Sequence, residues 1–265
     1  MEAWNHVQQR DGYTNCHSPR GDVQSKLYPT GTRNGRRHFT RKLSNCRSHH
    51  SLLVPQLPEL FGFIAETDSQ IVIVFRGTTT TSDWISDAIA RQTPFPYAKD
   101  GGLVHQGFLD IYQSARKPLL AAMSKLSAGK QLYLTGHSLG GSLATLCAAD
   151  LAANTKFTSP SVYTFGSPRV GNPSFAKLFN LRTGPHYRVF NRNDMVPSLP
   201  PLVYKSPRTG DLYHYIHVKK AVELVNPTGS LAGNHAVSNY YHEVAKLDPK
   251  YAKLLSARTP GFCPK

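Results

Sequence analysis

The sequence predicts an α/β fold, a mainly parallel central sheet with helices on both faces, and three observations carry that expectation. The apolar run Ile71-Val72-Ile73-Val74-Phe75 has no polar face, as in a strand covered on both sides. The run Gln131-Leu132-Tyr133-Leu134-Thr135 leads through Gly136-His137-Ser138-Leu139-Gly140 into the small-residue helical stretch 141–149, so strand, G-x-S-x-G turn and helix follow in order. Further apolar runs at 161–166 and 186–190 alternate with helical patterns, which is how βαβ units read.

Taken along the chain, residues 1–50 match none of this. Gly, Arg, Asn, Ser and His dominate, five of the twelve histidines fall there, and nine Lys/Arg stand against three acids. They are expected to form an atypical, basic, poorly ordered segment. It reads either as a native basic arm or as a stretch out of frame with a domain that begins near Leu52–Pro58, and the second is favoured. Residues 51–265 are expected to form one domain, with ordered structure from Pro58. Residues 58–65 and 71–75 read as a hairpin about the polar turn 66–69. From 105 to 127, Phe108, Ile111, Tyr112, Ala115, Leu119, Met123 and Leu126 recur at helical spacing, with Pro118 expected to kink or restart the helix.

Composition narrows the partners. The chain has 265 residues and a net charge of +15, a balance that favours anionic surfaces such as charged lipid interfaces. No zinc-finger or RNA-recognition signature accompanies it, so no nucleic acid is expected. No apolar run reaches the ~18 residues of a membrane span, and the first thirty residues lack a secretory apolar core, so neither a span nor an export signal is expected. Localisation is not legible. Four scattered cysteines, Cys16, Cys46, Cys147 and Cys263, form no metal or disulfide pattern. Cys147 reads as a buried thiol.

The G-x-S-x-G turn is where chemistry is expected. A serine hydroxyl becomes nucleophilic when a histidine takes its proton and a carboxylate orients that histidine. On α/β scaffolds the partners follow the serine in the order acid, then histidine. Ser138 is the candidate nucleophile. Asp194 is the candidate acid, since it opens the loop after the 186–190 strand. Asp150 lies on the helix after the turn, away from its serine end. His214, His217, His235 and His242 are the candidates for the base. His235 stands in a loop entering the segment from Val237, whereas His214 and His217 alternate with apolar residues as in one strand. His137 reads as a packing residue beside the nucleophile. The backbone N–H of Leu139 and the loop Phe75-Arg76-Gly77-Thr78-Thr79, with the Thr78 hydroxyl, are the candidate oxyanion donors. Trp84, Ile85, Ala88 and Ile89 form an apolar stripe, a candidate lid beside the site.

Several motifs in this order resemble the class 3 lipases, the family of fungal triacylglycerol lipases with bacterial and plant relatives. They are Val74-Phe75-Arg76-Gly77-Thr78, Asp83-Trp84-Ile85-Ser86-Asp87, Val104-His105-Gln106-Gly107-Phe108, Thr135 to Gly141, Thr164 to Gly171, and Asn193-Asp194-Met195-Val196-Pro197. The resemblance implies an α/β-hydrolase fold and a serine carboxylester hydrolase acting on lipid or other ester substrates. It also implies Ser138, Asp194 and His235 as the triad, with Tyr240 following the histidine. Thr78 and Leu139 would be the oxyanion donors, with a short lid after Thr78. No cofactor and no metal is implied. Phospholipase A1, galactolipase and feruloyl esterase activities share such a site, and a non-catalytic lipase-like binding protein is the reading from another class. The helical segment that precedes the first strands in this family has no counterpart in residues 1–50, and the cysteine pattern of the secreted fungal members is absent. Oligomeric state is not legible.

Overall fold

The computed structural model describes residues 52–53, 62–78 and 90–259. The expectations for residues 1–50, for residues 58–61, for Trp84, Ile85, Ala88 and Ile89, and for Cys16, Cys46 and Cys263 lie outside the described residues.

A seven-stranded sheet forms the centre. It runs through β1 (Leu52–Leu53), β2 (Gly62–Glu66), β3 (Gln70–Phe75), β6 (Gln131–His137), β7 (Ser161–Phe165), β8 (His186–Asn191) and β11 (Ala221–Leu224), in that spatial order. The first two pairings are antiparallel and every later one is parallel. The β2–β3 hairpin closes where Thr67 N–H donates to the Gln70 carbonyl at 2.8 Å. Leu52 and Leu53 pair with Ile64 and Phe63, so strand pairing begins earlier than the expected start at Pro58. Two short hairpins stand outside the sheet, β4 (Gln92–Pro94) with β5 (Leu103–His105), and β9 (Val203–Lys205) with β10 (Leu212–His214).

Six helices flank the sheet among the described residues: α1 (Gln106–Met123), α2 (Leu139–Asn154), α3 (Pro173–Arg182), α4 (Leu231–His235), α5 (Val237–Ala245) and α6 (Pro249–Arg258). None of the described helices is long and apolar enough to cross a membrane. Nearly all of α2 is buried, from Leu139 to Ala152, which suits a helix whose small and apolar residues surround its axis. Its one acid, Asp150, is fully buried against α1, and Arg116 grips both carboxylate oxygens at 2.6 and 3.0 Å. Tyr112 Oη adds a bond at 2.6 Å. Burial and Asp150 together raise the Tyr112 phenol above its ordinary range. Cys147 is a buried free thiol, pushed well up by burial.

Of the kink or restart expected at Pro118, the restart does not occur: α1 runs continuously through it. Proline removes one N–H from the ladder. The carbonyl it orphans belongs to exposed Ser114, which water can reach, while Ala115, Leu119 and Met123 stay buried on the opposite side and hold the helix down.

Because β3, β6, β7 and β8 run parallel, their carboxyl ends share one edge. There the chain leaves as Phe75–Thr78, His137–Ser138, Phe165–Gly166 and Asn191–Asp194, the edge at which open α/β sheets collect functional groups.

Candidate active site

The turn at Ser138 is tight. Ser138 has φ 58° and ψ −128°, a left-handed backbone that L-residues avoid, and α2 starts at the next residue. Glycine permits it. A Cβ on Gly136 would overlap the backbone of Gly140, and one on Gly140 would overlap the Phe75 carbonyl where β3 ends. Register then sets the height of the serine. His137 pairs with Phe165, and Ser138 N–H donates to the Phe165 carbonyl at 2.9 Å.

The end of β3 comes to the same place. A Cβ on Gly77 would stand 2.9 Å from the His137 carbonyl oxygen and 3.4 Å from Ser138 Cβ, so Gly77 brings the Thr78 loop against the turn. Leu139 is the first residue of α2, and its backbone N–H belongs to the unsatisfied first turn, where helix N–H groups favour negative charge.

Asp194 is buried, 5% exposed, where β8 gives way to a 3₁₀ turn over Val196–Ser198. Its carboxylate collects three donors. His235 Nδ1 lies 2.7 Å from Oδ2, Tyr240 Oη donates to Oδ2 at 2.6 Å, and the Val196 N–H donates to Oδ1 at 2.9 Å. Tyr240 also accepts the Asn191 N–H at 3.0 Å. Burial first, and the Asp194 charge next, raise its phenol above the ordinary range, so it stays a donor. The turn after Asp194 is pinned from outside. His217 Nε2–H donates to the Pro197 carbonyl at 2.7 Å, and Arg169 Nη1 donates to the carbonyls of Ser198 and of Pro200, the latter at 2.6 Å.

An aspartate that accepts from Nδ1–H leaves Nε2 of His235 as the basic nitrogen. Nε2 is buried and has no hydrogen-bond partner among the described residues, and the same holds for Ser138 Oγ and Thr78 Oγ1. Buried polar atoms are normally paired, and three unpaired ones at the same sheet edge suit groups kept for a reacting molecule.

Of the four candidate histidines, the fold brings His235 to Asp194. His214 is exposed at the end of β10, His217 braces the turn after Asp194, and His242 lies on α5. The single strand expected across His214 and His217 is absent. β10 ends at His214, and Ile216 makes an isolated bridge to Gly171 instead. His235 itself closes the short helix α4 rather than lying in a loop. Two contributors escaped the sequence reading. Gly166 has φ 58°, and a Cβ there would stand 3.1 Å from Asp194 Oδ2 and 3.1 Å from Tyr240 Oη. Asn191 Nδ2 reaches from β8 to the Asn234 carbonyl at 3.1 Å. A glycine directly after an apolar strand was the available signal for the first; the second left none.

The chain is similar to known proteins in sequence and fold. A family model described as lipase (class 3) matches residues 72–204. A lipase of Rhizomucor miehei is 39% identical over 159 residues, 57% of this chain and 43% of the relative. Phospholipase A1-II 1 of Oryza sativa subsp. indica is 33% identical over 201 residues, covering 66% of this chain and 50% of that protein. A solved Rhizomucor miehei lipase in complex with its propeptide superposes with a TM-score of 0.54 at 34% identity, over 62% of this chain and 51% of that one. The chain thus spans about half the length of the curated relatives it matches.

Proposed function

Given that the chain belongs to the class 3 lipase family, we propose that it is a serine carboxylester hydrolase acting on lipid esters as a triacylglycerol lipase. The observation that carries the reading is the buried 2.7 Å contact between His235 Nδ1 and Asp194 at the sheet edge where Ser138 holds a strained turn.

In this reading Ser138 Oγ attacks the ester carbonyl carbon while His235 Nε2 takes its proton. Asp194 holds the Nδ1–H tautomer and stabilises the imidazolium. The tetrahedral oxyanion accepts from the Leu139 N–H and the Thr78 hydroxyl. The C–O bond then breaks, His235 returns its proton to the leaving alcohol, and water repeats the sequence on the acyl-enzyme to release the acid. No cofactor or metal enters. The partner is lipid at a lipid–water interface, which the net charge of +15 favours when that surface is anionic.

A series of p-nitrophenyl esters from acetate to palmitate tests this. Ser138→Ala is expected to lower kcat by about 10³-fold or more. A folded wild type with no activity on any ester would return the binding-protein reading. A second reading, phospholipase A1, is favoured by the similarity to the rice protein. Emulsified triolein against phosphatidylcholine, both under the same assay, decides between them.

A further inference from the structure

His137 precedes the nucleophile, and its ring faces away from α2. Gly136 turns toward that helix, as the overlap of its Cβ position with Gly140 shows, so the next residue of the strand turns to the opposite face. There His137 lies edge-on to Tyr240, with ring centroids 5.6 Å apart, and 4.6 Å from the ring of His235. Its Nε2 stands 2.7 Å from the backbone carbonyl oxygen of His235. A carbonyl only accepts, so Nε2 carries the proton.

That carbonyl needs a donor. His235 is the last residue of α4, and Ala236 leaves helical geometry at φ −61° and ψ 132° before α5 begins. The last carbonyls of a helix lack intrahelical partners. In α4 side chains reach all three, at Gly233 beside the Ala236 N–H, which donates at 3.2 Å. Asn239 Nδ2 donates to the Gly233 carbonyl, Asn191 Nδ2 to Asn234 at 3.1 Å, and His137 Nε2 to His235. Asp194 holds the His235 ring at Nδ1, and His137 holds the same residue at its backbone.

We propose that His137 is a positioning residue: its Nε2–H tethers the His235 carbonyl, so that the base is held by the residue adjoining the nucleophile on the same strand. The proposal rests on the ester-hydrolase reading above. Its mechanical content is that serine and imidazole take their relative place from two consecutive residues, and a misplacement of order 1 Å is enough to cost about 10²-fold in rate. Burial first, and the charge of His235 next, lower the His137 pKa to about 4, so the ring remains neutral at pH 7.

The test compares wild type, His137→Phe, which keeps a ring without the donor, and His137→Gln, which keeps a donor of similar reach. For His137→Phe, kcat on p-nitrophenyl butyrate is expected to fall about 10- to 100-fold with KM within about twofold of wild type. His137→Gln should recover part of the loss. In a His235→Ala background, His137→Phe should cost nothing further. A second readout needs no turnover: the low-field Nδ1 proton of His235 should shift or broaden in His137→Phe and return in His137→Gln. A folded His137→Phe with wild-type kcat and an unmoved resonance would overturn the tether, as would an equal loss in the His235→Ala background. A wild type that hydrolyses no ester and takes no fluorophosphonate label would sink the hydrolase reading instead, and the resonance would still report whether His137 holds His235.

Discussion

At Gly166 the backbone takes φ 58° as β7 ends, and the empty space beside its Cα is bounded by Asp194 Oδ2, Tyr240 Oη and His235 Cε1. A Cβ there would lie 3.1 to 3.2 Å from all three, closer than carbon normally approaches any of them. The left-handed conformation alone costs an alanine about 1–2 kcal/mol. The rest of the strain falls on the hydrogen-bonded group around the carboxylate. Gly166→Ala is therefore expected to lower Tm modestly and kcat by at least about tenfold, because a sub-ångström displacement of His235, the proposed base, counts more in rate than in stability. Melting and kinetics on the same sample check this; an unchanged kcat would mean the group relaxes freely. At this scale legibility followed locality. Ser138 and its two glycines are encoded in five consecutive residues, and Asp194 follows from chain order. The Tyr240–Asp194 bond spans 46 residues and the His137–His235 bond spans 98, so spacing could not announce either, although the tyrosine entered through the family resemblance.

The packing of α1 on α2 depends on Asp150, a charge with no water contact, and Arg116 supplies the compensating cation from the facing helix. Removing one partner of a buried pair leaves the other uncompensated, at about 3–5 kcal/mol. Asp150 lies twelve residues after Ser138, about 18 Å along the helix axis. Arg116→Met is thus expected to lower Tm substantially while kcat, measured well below the new Tm, stays near wild type. A fall in kcat matching the fall in stability would show that the helix pair also sets the site. Elements long enough to show a period were legible: β3, β6, β7, β8, α1 and α2. The three-residue strands of the β4–β5 and β9–β10 hairpins were not, since three residues carry no alternation. Pro118 fails to restart α1 for a related reason. Propensity argues from one residue, and the helix is held by the buried row through Ala115, Leu119 and Met123.

Across the whole molecule, the count of twelve histidines says nothing about which are buried, and among the described residues four are kept neutral by the fold. Burial lowers His105 and His137 to about 4 and His217 to about 3, and lowers His186 as well. Their places are structural: His105 caps α1, His137 bonds the His235 carbonyl and His217 braces the Pro197 turn. In the unfolded chain each returns to an ordinary value near 6.5, so below that pH the unfolded state binds protons that the folded state refuses. Stability is then complete above about pH 7 and declines as the pH falls from 6.5 toward 4, each such histidine adding up to about 1.4 kcal/mol per pH unit to the slope. The existing charge of +15 works in the same direction, since every added proton joins an excess of like charge. Urea or thermal unfolding from pH 8 to pH 4.5 should therefore give a plateau followed by a steep loss that starts near pH 6.5, before carboxylates begin to titrate. A flat profile down to pH 5 would mean that these rings take up protons in place, and that the fold does not hold them as neutral donors and acceptors.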